Sequence, residues 1–381
     1  LFFYNLVEKK FSDVTIWTVI WIIYKIKIRR KKMFKIKKKI TLLATTCCIA
    51  TMIVGCNNSG ITNNETSTNS SKQYYVSGDN ISLDTTVEKV PNKVKLIKAK
   101  RKEINTIKLK KLLFGKNSSN VKKIDEEYYE DNLKNALYLQ RYGGFFYTSK
   151  NYDYYDSSIH TDIRDENYNM NKFSTTKELE FMTREEVIKW LKSKLEKIDI
   201  NLGDIEYNCY SMEHNQLKKY EEHYDMDDNI DKSSYKSKWD KEDDCYYISI
   251  RQKVNGIVEY HKFGGELRNY EDSKASIVAI VSKRGFEYIE MTSAFDFDNV
   301  DKTVSIKDPQ DILDNVSKQY SNIVGEEKYN ILSFKLCYFT NIENKDEVIP
   351  IYECYMLEKN KNGISRLQLF FDASTGEALE L

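Results

Sequence analysis

In the C-terminal half of the chain, apolar residues switch between a helical spacing and a strand spacing, and the switch happens twice in the same order. Thr183-Arg-Glu-Glu186 has the form of a capping box, and Val187, Ile188, Leu191, Leu195 and Ile198 continue it as one apolar stripe. Strands are predicted after it at 205–212, 246–254, 257–262, 276–282 and 286–292. Asp308-Pro309 then offers a second N-cap with proline at the first helical position, and Ile312, Leu313, Val316 and Tyr320 line that helix. Strands are predicted at 330–340, 348–358 and 366–372. The pattern predicts two tandem helix-plus-antiparallel-sheet units, 179–300 and 301–381, the first carrying an acidic insertion at 213–244.

The preceding region, 74–178, reads as an N-terminal α+β region. Its basic arm, Lys93 to Lys111, alternates lysines with Val94 and Leu96 and continues through Ile104, Ile107 and Leu109. It fits a pair of solvated edge strands or a contact with anionic lipid or wall polymer. Between Asp125 and Arg141, Tyr129, Leu133, Ala136, Leu137 and Gln140 fall at helical spacing before Gly143-Gly144, which predicts a helix there. The fold class expected is α+β, an N-terminal sheet region plus the two tandem units.

Ahead of residue 74 the pattern changes character. Residues 57–72 are polar except for Ile61 and cannot bury enough surface to order themselves, so 56–73 reads as a tether whose ends spread by about 20 to 25 Å. Met33 to Gly55 begins with four lysines in seven residues and continues as an apolar run from Ile40 to Val54, shorter than the roughly 20 residues a spanning helix needs. Ile53-Val54-Gly55-Cys56 closes it and resembles the lipobox of bacterial lipoproteins. That resemblance implies a signal peptide at 33–55, cleavage between Gly55 and Cys56, diacylglyceryl transfer to the Cys56 sulfur, and anchoring on the outer face of the cell membrane. Residues 1–32 are expected to be upstream translation, with Met33 as the start.

Two further resemblances concern the folded part. Leu369-Phe370-Phe371-Asp372-Ala373-Ser374-Thr375-Gly376-Glu377-Ala378-Leu379 resembles the closing hairpin of PepSY-type domains, in which Asp372 accepts backbone hydrogen bonds and Gly376 takes positive φ. The lipobox, tether, basic arm and paired units together look like uncharacterised lipoproteins of low-GC Gram-positive bacteria. The resemblances imply an envelope protein that associates with or restrains a partner.

Charge sharpens this picture. Residues 1–55 hold 12 of the 59 Lys and Arg but 2 of the 58 Asp and Glu, which leaves 47 against 56. The expected mature protein is acidic, which argues against nucleic acid as a partner. With 28 tyrosines and 3 prolines, the composition favours sheet. Of seven cysteines, Cys47 and Cys48 leave with the signal and Cys56 takes lipid; Cys209, Cys245, Cys337 and Cys354 remain. Bridges Cys209 to Cys245 and Cys337 to Cys354 would join neighbouring strands, whereas free buried thiols suit a chain large enough for a core without staples.

Candidate chemistry is sparse. The chain has no nucleophile elbow, no His-Glu-x-x-His and no phosphate-binding loop, and its Ser-x-x-Lys matches at Ser119 and Ser174 lack a Lys-Thr-Gly partner. His214, His223, Asp225 and Asp227 crowd within the insertion and suggest a divalent metal, but the calcium-loop pattern fails at Ile230 and Lys236, so a solvated acidic loop is the alternative. Tyr152, Tyr154 and Tyr155 offer stacking faces to wall sugars or pack a sheet edge. The expectation is a non-catalytic module without cofactor, acting on another envelope protein. A binder of wall polymer or small ligand comes second and a hydrolase last.

Overall fold

A computed structural model describes residues 73–140, 143–161, 168–225, 229–261, 276–321, 323, 325–341, 347–361 and 363–380. The expected signal peptide, Gly55, Cys56 and the expected tether lie outside them. The chain runs β1 (Ile81–Leu83), β2 (Lys93–Arg101), α1 (Thr106–Phe114), β3 (Lys122–Lys123), β4 (Tyr128–Glu130), β5 (Ala136–Leu139), β6 (Phe145–Thr148) and α2 (Tyr152–Asp156). It continues through α3 (Arg184–Glu196), β7 (Asp204–Met212), α4 (His214–Tyr220), β8 (Cys245–Val254), β9 (Ile257–His261), β10 (Ile277–Ser282), β11 (Gly285–Met291) and β12 (Phe295–Ser305). Last come α5 (Pro309–Tyr320), β13 (Lys328–Thr340), β14 (Glu347–Asn360), β15 (Gly363–Asp372) and β16 (Ala378–Leu379). The class is α+β.

Both expected helices form for the expected reasons. The Thr183 amide donates to the Glu186 carboxylate at 2.7 Å while the Glu186 amide donates to Thr183 Oγ1 at 3.2 Å. Asp308 caps α5 by accepting from the Gln310 amide at 2.9 Å. Each helix buries its stripe on a meander: Val187, Ile188, Leu191 and Leu195 against β8, β10 and β11, and Ile312, Leu313 and Val316 against β13 to β15. Burying one such side chain contributes about 1.5 to 3 kcal/mol before chain entropy is counted. Helix followed by four antiparallel strands therefore recurs, as β7-β8-β10-β11 and β13-β14-β15-β16.

The two halves are not separate PepSY-like units. All 16 strands belong to one hydrogen-bonded network, in which β9 pairs with β8 and lies parallel to β13, and β2 bridges β12 and β14. By their internal contacts residues 70–381 form one compact unit. The 74–178 region is divided between the halves, β1 and β2 joining β13, β14 and β12 while β4 to β6 extend the first meander from β11. The resemblance to PepSY domains is carried by the closing turn. There Asp372 Oδ1 accepts from the Ser374 and Thr375 amides at 2.7 and 2.9 Å, and Gly376 has φ 80°.

Two local expectations fail. The segment expected to be a helix, 125–141, is a β-hairpin over its described residues 125–140, because the Asp131 carboxylate accepts from the amides of Leu133 and Asn135 and Lys134 takes positive φ, which reverses the chain. Tyr129 and Leu137 then meet as cross-strand partners. The basic arm is one strand and one helix. β2 lies between two neighbours, and its Lys98 and Lys100 stand opposite Asp298 and Asp296 of β12, so its lysines complement a partner strand of opposite charge.

Candidate functional site

The best-formed cleft lies where the halves meet. One edge of β13 is shared: β1 pairs in parallel with residues 329–331 and β9 with residues 337–340, and among the described residues no strand pairs on that side with 332–336. The segment Val87 to Pro91, between β1 and β2, passes over this gap. The cleft is open to solvent and holds a space of about 120 Å³, lined by apolar Val87, Val90, Ile257, Val258, Phe334 and Leu336 and by charged Glu88, Lys89, Glu206, Lys253 and Lys335. Glu206 accepts from Arg251 and, at 3.1 Å, from Lys335. Its partial burial pushes its carboxyl up, but Arg251, Lys335 and Lys253 outweigh that and hold it below the usual carboxylate range.

The acidic insertion builds a different kind of site. It covers the face of the first meander opposite α3, placing Leu217 and Trp239 with Tyr155, Met212, Cys245 and Tyr247 in a second core. Beneath it Arg284 bonds Asp243 at 3.0 Å, Glu287 at 2.8 Å and the Tyr155 hydroxyl at 2.8 Å. Asp243 also pairs with Lys236, and Glu287 accepts from Ser149 and, at 2.6 Å, from Ser282. Burial holds the Tyr155 hydroxyl well above its usual range. Two carboxylates are thus paired with two cations and hydrogen-bonded on several sides, a set that fixes the insertion to the sheet.

The residues proposed as metal ligands do not converge. His214 Nδ1 bonds Asp244 at 2.6 Å and His223 Nε2 bonds Glu221 at 3.1 Å. Asp225 accepts from the Asn229 amide at 2.9 Å, and Asp227 lies outside the described residues. Glu221 is also bonded by the Lys236 amide at 2.6 Å and by Trp239 Nε1 at 2.7 Å, which makes it a core acceptor. Among the described residues no group of three His, Cys, Asp or Glu could hold a metal ion.

Tyrosine faces are consumed internally. Tyr152 stacks on Tyr288 at 4.7 Å, Tyr154 meets the His223 edge, and Tyr155 is fully buried. Tyr128, Tyr138 and Phe146 stack on one another at 4.3 and 4.4 Å across β4 to β6, so each ring uses its face on the next.

Cys209, Cys245, Cys337 and Cys354 are all buried, and none forms a disulfide. Cys209 stands opposite Ile248, and Cys245 opposite Met212. Cys337 stands opposite Ile351, and Cys354 opposite Phe334. In each pair the three-residue offset puts the sulfurs on opposite faces of the sheet, which rules out the bridges considered from sequence. Burial raises the Cys209 thiol to about 12 and the Cys245 thiol well above its ordinary value.

The cleft residues Glu206, Lys253 and Lys335 drew no attention in the sequence. They come from three strands, and their meeting depends on β9 reaching β13. Arg284 could have been noticed, since Ser282-Lys-Arg-Gly285 places a charged pair in a tight turn beside buried strands.

No protein-family model matches the chain, and no curated protein matches it. Among solved structures it is similar to an uncharacterized protein from Eubacterium rectale ATCC 33656, with a TM-score of 0.58 and 15% identity over 80% of this chain and 92% of that one. That similarity extends the fold across most of both molecules.

Proposed function

We propose that the protein is a lipid-anchored, non-catalytic binding module on the outer face of the cell membrane, held through Cys56 and acting on another envelope protein. The anchor reading rests on the Ile53-Val54-Gly55-Cys56 tetrad and the basic and apolar segments before it. The observation that carries the partner reading is the outer edge of β15. β16 covers it only at Phe370 and Phe371, and among the described residues no strand pairs with 363–369 on that side. Edge β12 carries Asp296, Asp298, Asp301 and Lys302 with a register shift, and edge β3 is two lysines. The open stretch 363–369 of β15 has one charge, Arg366, among Ile364, Leu367 and Leu369, so it lacks those guards and suits strand addition by a partner.

The test has two parts. Cys56→Ser should abolish lipid labelling and release the protein from the membrane fraction; a variant that stays labelled and bound overturns the anchor. A photo-crosslinker at Ser365 should capture one recurrent envelope protein in cells, while one at Asp298 should not. Equal or absent capture from both positions overturns the β15 reading.

A second reading, a binder of small ligand, is favoured by the cleft over β13. Wall-polymer binding through Tyr152, Tyr154 and Tyr155 loses its support, because their rings are already packed.

A further inference from the structure

We propose that the cleft between the 87–91 segment and β13 binds a small carboxylate with a compact branched or aromatic body, as a free acid or as the last residue of an extended peptide. The proposal rests on the small-ligand reading and is independent of the β15 edge.

Size sets the first limit. A space of about 120 Å³ is close to an apolar cavity of about 150 Å³ that takes benzene, so the body is a ring or a branched chain and not a polymer segment. Val87, Val90, Ile257, Val258, Phe334 and Leu336 supply apolar walls for it.

Charge sets the second. Lys89, Lys253 and Lys335 face the cleft against Glu88 and Glu206, and Arg251 stands behind Glu206. Glu206 is shared between Arg251 and Lys335, while Lys253 makes no ion pair among the described residues. An ammonium has three donors, so Lys335 retains donors beyond its bond to Glu206. Excess positive charge beside an apolar wall, in a chain whose residues 56–381 are acidic, selects an anion with an apolar body over either a neutral molecule or a bare inorganic ion. Residues 332–336 of β13, which have no strand partner on this side among the described residues, would add backbone hydrogen bonds if the carboxylate ended a peptide.

Glu206 gives the proposal its sharpest consequence, because it acts as a built-in competitor for Lys335. The full chain carrying Cys56→Ser can be titrated calorimetrically with isovalerate, isovaleramide, inorganic phosphate and an N-acetylated dipeptide ending in valine. Isovalerate should bind about tenfold or more tightly than isovaleramide or phosphate, the difference expected of a charge-assisted hydrogen bond. Lys253→Met should weaken it by about the same factor, and Glu206→Gln should tighten it, a gain that disruption of the fold does not produce. A dipeptide tighter than isovalerate assigns a peptide terminus; equal affinity assigns the free acid. Binding of isovaleramide as tight as the acid, blocked by Val90→Trp, would overturn the carboxylate while leaving a small-ligand cleft. No heat with any of the four compounds would overturn both, and the β15 crosslink would be unaffected.

Discussion

The two helix-plus-meander halves share an order of elements and differ in what lies on the other side of the sheet. In the first half α3 covers one face, and the acidic insertion with Tyr155 and Trp239 covers the other, where Arg284 pairs with the buried carboxylates of Asp243 and Glu287. In the second half α5 covers one face, a small cluster of Tyr260, Cys337, Phe339, Ile351 and Phe370 forms on the other, and the β15 edge stays open. An acidic stretch that reads as a solvated loop is therefore a third layer, with Glu221, Asp243 and Asp244 turned inward and paired. The half without that layer carries the β15 edge, and the cleft lies where the two halves meet.

The largest effect should come from breaking the extra layer. Arg284→Met leaves two nearly fully buried carboxylates, Asp243 and Glu287, short of a partner, and should cost about 3 to 5 kcal/mol in urea denaturation. Lys335→Met, whose partner Glu206 is far less buried than Asp243 or Glu287 and keeps Arg251, should cost well under that. Similar losses for the two would erase the contrast between the halves.

Next come the core stripes. Leu191→Ala and Leu313→Ala, both at fully buried positions, should each cost about 2 to 5 kcal/mol. Because the strands form one network, each should move a single cooperative transition by fluorescence and by circular dichroism alike. Separate transitions for the halves would show that the β9–β13 and β2 bridges do not couple them.

Loss of either helix cap should cost about 1 kcal/mol, for Thr183→Ala and Asp308→Ala alike. The smallest effect is local and depends on pH. Partial burial raises the Asp372 carboxyl, but hydrogen bonds from Ser374 and Thr375 outweigh this and hold it below the usual carboxylate range. A depressed folded value means the stabilisation is present above the unfolded value, about 3.9, and is lost as pH falls through the folded one. The Ser374 and Thr375 amide resonances should report opening of this turn in acid, and Asp372→Asn should remove the pH dependence. The β10–β11 turn, where the Ser282 hydroxyl accepts from the Arg284 amide at 3.1 Å, has no such carboxylate at its centre.

What could be read from the sequence follows what is local. The capping box at Thr183, the Asp308-Pro309 start and the Asp372 to Gly376 turn are decided within a few residues, and each forms as expected. The hairpin at 125–141 was misread because Tyr129, Leu133 and Leu137 satisfy a helical spacing as well as a hairpin. The deciding signal was the short polar turn Asp131 to Asn135. The merging of the halves could not be read at all, since pairing β9 with β13 depends on two distant edges matching in register. The cleft, made by that pairing, was hidden for the same reason. The cysteines show the limit in miniature: neighbouring strands could be inferred, but the three-residue offset that parts the sulfurs is a matter of register.

The parallel pairing of β1 with β13 joins Ser82 to Asn330, 248 residues apart. If the chain is exported from its N-terminus, β1 emerges early and its docking strand almost last. Residues 73–101 must then wait on the outside, tethered beside the membrane, until nearly all of the chain has crossed. Contacts of such long separation make for slow closure, so the last step of maturation would be the seating of the first strand delivered. A chain truncated before residue 328 would leave β1 and the cleft roof over Val87 to Pro91 with nothing to close upon.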